Sequence, residues 1–120
     1  MPGRKYDLEE RLLEYAAAIV KLTEAMPNTR AANHVGGQLL RSGTSPLFNQ
    51  GEAQAAESPN DFVHKMKICL KELRETSIWL RIIARKRLSD HPDITPHLSE
   101  CNELIAIFVS SIMTAEHRLD

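Results

Sequence analysis

The core of a helical bundle is where a carboxylate-bridged di-metal centre forms, and such a centre needs Glu-x-x-His twice with further carboxylates facing inward. This sequence contains no Glu-x-x-His. Asp61-Phe62-Val63-His64 has i, i+3 spacing but stands alone in the first turn of a helical pattern, where Asp61 reads as a capping partner. His34, His64, His91, His97 and His117 are scattered without an i, i+4 pair, so surface and capping roles are expected. Neither Cys69 nor Cys101 stands in a Cys-x-x-Cys arrangement or beside a histidine, which argues against zinc and thiol catalysis. Both are expected as reduced, buried, small hydrophobes. Gly36-Gly37 lies inside a helical pattern rather than after a strand, unlike a loop that cradles phosphate. No metal, cofactor or catalytic set is expected, and the chain reads as non-enzymatic.

Two polar clusters remain. Asn49 and Glu52 are spaced i, i+3, as are Glu72 and Glu75, the latter flanked by Lys71 and Arg74. A structural polar network that sets helix register or subunit contacts is one reading; a carboxylate-lined binding site is the other. Glu75 shares a line with Ile68 and Trp79, so it needs an Arg or Asn partner, because an unpaired buried charge costs several kcal/mol. Lys65, Lys67, Lys71, Arg74, Arg81, Arg85, Lys86 and Arg87 fall in one short segment. They form either a solvated face or a surface for nucleic-acid phosphates. RNA surfaces usually add exposed aromatics for stacking, whereas Phe62 and Trp79, the aromatics in that segment, read as core.

Four amphipathic segments must carry these residues. In the first, about 7–26, Asp7-Leu8-Glu9-Glu10 reads as a capping box ahead of Leu8, Leu12, Tyr15, Ile19, Leu22 and Met26. Thr29 can cap the second, about 30–57, where Val35, Leu39, Leu40, Leu47 and Phe48 are separated by small residues that serve close packing or mark a hinge. Pro46 predicts a kink near residues 42–46. Ser58-Pro59 starts the third, about 59–87. There Phe62, Met66, Cys69, Leu73, Thr76, Leu80 and Ile83 recur at steps of four and three, with a second line of Ile68, Glu75, Trp79 and Ile82 beside them. Thr95-Pro96 starts the fourth, about 96–118, whose inner face carries Leu98, Cys101, Ile105, Phe108 and Ile112. The prediction is an all-α, antiparallel up-down-up-down four-helix bundle in one domain, 1–120.

Composition agrees: 120 residues, 42% hydrophobic but only 5% aromatic, is bundle-like. The net charge of −1 shows no overall basic bias. Charge is unevenly spread, with eight basic and three acidic residues over 58–87 against one and six over 88–120. Pairing between the third and fourth helices, or complementarity between subunits, would use that gradient. No signal-like start and no apolar run near the ~20 residues of a membrane span are apparent, so a cytoplasmic protein without membrane contact is expected.

Leu39-Leu40-Arg41-Ser42-Gly43-Thr44-Ser45, then Asn49, Glu52-Ala53-Gln54, Ser58, Asp61-Phe62, Lys65, Lys67-Ile68, Leu70-Lys71-Glu72, Arg74-Glu75-Thr76 and Trp79-Leu80 resemble the four-helix-bundle 23S rRNA intervening-sequence proteins. The likeness is densest over about 39–83, and Pro46-Leu47-Phe48 departs from the small residues more usual there. The resemblance implies a bundle that assembles as a ring-shaped homo-pentamer in bacteria; the family has no established molecular activity. An oligomeric binding module that contacts RNA or other nucleic acid through its third helix is therefore expected. A purely structural or protein-partner scaffold without nucleic-acid binding is the alternative.

Overall fold

The computed structural model describes residues 4–86 and 93–119, with side chains from residue 8. Four helices follow in order: α1 (Arg4–Glu24), α2 (Arg30–Gln54), α3 (Pro59–Lys86) and α4 (Thr95–Leu119). Each packs against its chain neighbour, and α1 meets α4 only thinly, giving an up-down bundle of 48 × 30 × 20 Å. The expected Asp7 cap, His91 and Arg87 lie outside the described side chains.

Local chemistry sets most of the ends. Thr29, in extended backbone, accepts from the Ala32 amide at 3.1 Å and starts α2. Ser58 accepts from the Asp61 amide at 3.0 Å, and Pro59 opens α3 where its missing N–H costs nothing. Asp61 reaches back to the Glu57 amide at 3.4 Å. Two starts differ from expectation. Helix α1 begins a turn before Asp7, at Arg4. Thr95 is the first residue of α4 rather than its cap, and the Asp93 carboxylate accepts its amide at 2.9 Å.

Burial follows the periodicity. Leu12, Ile19, Leu22, Leu39, Leu73, Leu80, Ile83, Leu104 and Phe108 fill the core. Pro46 does not break α2: the helix runs through it, with the ring fully buried. The chain around it is tied to α3. Cys69 donates its thiol proton to the Pro46 carbonyl at 3.6 Å, and Thr76 Oγ1 lies 2.9 Å from Ser42 Oγ and from the Glu72 carbonyl. These contacts tie the segment to α3 on either side of the proline. Cys101 donates to the Leu73 carbonyl at 3.2 Å, and both cysteines are free thiols.

The fourth helix corrects the reading that no stretch is long and apolar enough to span a bilayer. By length and composition alone α4 is, although only 22% of its apolar window is buried. Cys101, Leu104, Phe108 and Ile112 face the core, and Met113 is 64% exposed on the far side.

Candidate nucleic-acid interface

Helix α3 turns one row of side chains straight outward. Lys67, Lys71, Arg74, Ile78, Arg81 and Arg85 succeed one another at steps of four and three, all exposed. At 1.5 Å per residue the row is roughly 27 Å long, and it contains no carboxylate. Lys67 is paired, its Nζ 2.8 Å from Glu116 of α4. Among the described residues Lys71, Arg74, Arg81 and Arg85 make no ion pair; Arg81 only donates Nε to the Ser77 carbonyl at 3.4 Å. The acids of α4 that might have neutralised them are otherwise engaged, since Glu100 and Glu103 bind Arg11 of α1 at 2.6 and 3.3 Å.

The other basic positions stand elsewhere. Lys65 is half-buried in the α2–α3 seam with Nζ 2.8 Å from Glu52. Lys86 is exposed about a quarter-turn around the helix from the row.

The four polar residues singled out above do not converge. Arg41 of α2 reaches Glu72 and Glu75 of α3, each at 3.1 Å. Glu75 and Glu72 in turn hold the Arg41 guanidinium more firmly in its charged form. Asn49 turns back to its own helix, donating to the Ser45 carbonyl at 3.1 Å and to Ser45 Oγ at 2.8 Å. Glu52 belongs to the Lys65 pair, eleven residues beyond Arg41 on α2, or roughly 16 Å. The arrangement is two separate ties across one seam.

Glu72 is only 8% exposed, so it depends on Arg41. Arg41→Ala is expected to lower the unfolding free energy by about 1–2 kcal/mol, less than a fully buried pair would lose because the guanidinium is half-solvated. Denaturant melts of the single and double variants at Arg41 and Glu72 check this. Additive losses would mean that the pair is uncoupled.

Sequence reasoning missed two features. Trp79 is not sealed in the core: it is half-buried, and its ring meets the exposed His34 ring of α2 edge-on, centroids 5.9 Å apart at 79°. The signal was present in the second line of Ile68, Glu75, Trp79 and Ile82, each of which is half-buried. Gln50 was missed as well: it is buried in α2, and its Oε1 has no partner among the described residues.

The model of the 23S rRNA-intervening sequence protein family matches residues 4–110. A crystal structure of a protein of unknown function from the S23 ribosomal protein family of Bacteroides thetaiotaomicron superposes with a TM-score of 0.81 at 32% identity, covering 88% of this chain and 97% of that one. Comparison with curated proteins finds no match.

Proposed function

The chain belongs to the 23S rRNA-intervening sequence protein family, and from that premise we propose that it is an oligomeric, non-enzymatic module that holds the phosphate backbone of RNA against the outer face of α3. The observation that carries this reading is the row of Lys71, Arg74, Arg81 and Arg85, cations with no carboxylate among them and no ion pair within the described chain. A protein that needed the row only for solubility would intersperse acids, as the surface of α1 does. Self-association is supported by apolar side chains left outside: Leu13 and Val20 on α1, Leu40 and Phe48 on α2, and Met113 on α4, with Phe48 68% exposed. A pentamer, the assembly that the resemblance implies, would present five such rows. Multivalency of that kind raises avidity by roughly 10²–10⁴ without a new contact.

The test is a gel-shift with structured RNA at about 50 and about 200 mM salt, alongside light scattering for mass. Four phosphate contacts predict a roughly 100-fold loss of affinity across that interval. Binding that ignores salt, or fails in low salt, sinks the reading; a mass of one chain removes its oligomeric half. A protein-partner scaffold is favoured by one observation, the Lys67–Glu116 pair across α3 and α4, but the four cations beyond it lack such acids.

A further inference from the structure

We infer that this interface selects unpaired nucleotides, with a base seated against Trp79 of α3 and His34 of α2 and the backbone along the cationic row. The inference rests on the phosphate-binding reading and adds what lies beside the phosphates. Three observations support it. First, the perpendicular contact between His34 and Trp79 cannot cover both faces of either ring. Both side chains also retain access to solvent. An aromatic face open to solvent is what a free base stacks on, whatever its identity.

Second, Ile78 interrupts the row of cations and is 49% exposed. A solvated basic face gains nothing from a bare isoleucine among lysines and arginines. At 100° per residue, Ile78, Ile82 and Trp79 step round the helix away from the row, so an apolar path leads from the phosphate side to the aromatic pair. Third, the acid nearest this path is already neutralised, Glu75 being held by Arg41 at 3.1 Å. Lys86 lies two turns beyond Trp79 on the same line and supplies a cation at the far end.

The geometry discriminates against duplexes. In A-form RNA the bases are stacked inward and the deep groove is closed to side chains. A duplex can therefore lie on the cations but cannot turn a base toward Trp79. A single strand can do both.

Trp79 is the only tryptophan in the chain, so its emission reports this position alone. The intact protein is titrated in low salt with a uridine oligonucleotide and with a duplex RNA carrying the same number of phosphates. The expected result is quenching of the Trp79 emission by the single strand and not by the duplex, with the single strand bound roughly tenfold more tightly. His34→Ala, a change at an exposed site, is expected to lower the single-strand affinity about threefold, and Trp79→Leu about tenfold. Equal affinities with unchanged emission overturn the base seat while leaving the phosphate reading intact. Failure of both RNAs to bind overturns both.

Discussion

Replacing Gly43 by valine is expected to lower the unfolding free energy by about 3 kcal/mol, the largest loss foreseen from a single added side chain. A Cβ built at Gly43 would lie 2.9 Å from Ile19 Cγ2, 3.0 Å from its Cγ1 and 3.3 Å from its Cβ. Ile19 is fully buried and β-branched, so leaving its strongly preferred helical rotamer is costly. The two helices would have to separate there. Alanine at the same position is expected to cost about 1 kcal/mol, because its better helix propensity offsets part of the clash. Gly37 and Gly51 provide the control. A Cβ at either meets nothing within 4 Å, so alanine there is expected to stabilise the helix by about 0.5–1 kcal/mol. Urea melts of the four variants test the sign as well as the size. A neutral Gly43→Val would show that α1 and α2 do not approach as closely as the Ile19 contact requires.

Alkaline pH is expected to weaken the protein steeply between about pH 9 and 11. Burial pushes the Cys69 thiol up to about 12 and the Cys101 thiol up to about 11 from an ordinary 9.0. Burial also raises the Tyr15 phenol, which donates to the His97 carbonyl at 3.0 Å. The unfolded chain loses these thiol protons first, near pH 9, while the folded chain keeps them. The stabilisation is therefore whole below pH 9 and is lost as pH rises through the folded values. Each thiol contributes on the order of 2 kcal/mol of that loss by pH 11. Thermal melts at pH 8, 9.5 and 11 follow it, compared with a variant carrying Cys69→Ala and Cys101→Ala. The variant starts less stable but should depend less steeply on pH. Slopes that coincide would mean that the thiols ionise alike in both states. Neither thiol should react with iodoacetamide at pH 8 until the chain is unfolded.

What could be read in the chain was whatever nearest neighbours decide. Thr29 and Ser58-Pro59 start helices because a hydroxyl beside three free amides needs no tertiary help. Met66, Cys69, Leu73, Thr76, Leu80 and Ile83 are buried because their spacing keeps them on one side whatever the neighbour is. Pro46 was harder. Propensity counts a lost hydrogen bond and a steric cost, and takes no account of a partner helix that binds Ser42 and the Pro46 carbonyl. Pairing was also beyond reach: sequence demanded an arginine or asparagine for Glu75, but only packing brings Arg41 to it across 34 positions. Trp79 shows the same limit from another side. Periodicity tells which direction points inward, while the width of the covered zone depends on the girth of the neighbours, and beside His34 that ring stays only half-buried.

The four seams of the bundle are unequal. Between α1 and α4 the described ties are Arg11 with Glu100 and Glu103, and Tyr15 with the His97 carbonyl, beside an open cleft lined by Ala18 and Pro96. The first helix is thus fastened along one edge and merely latched along the other. The same holds of α4, whose firm neighbour is α3, so the α1–α4 seam is where a fluctuation opens the bundle first while the α2–α3 pair stays shut.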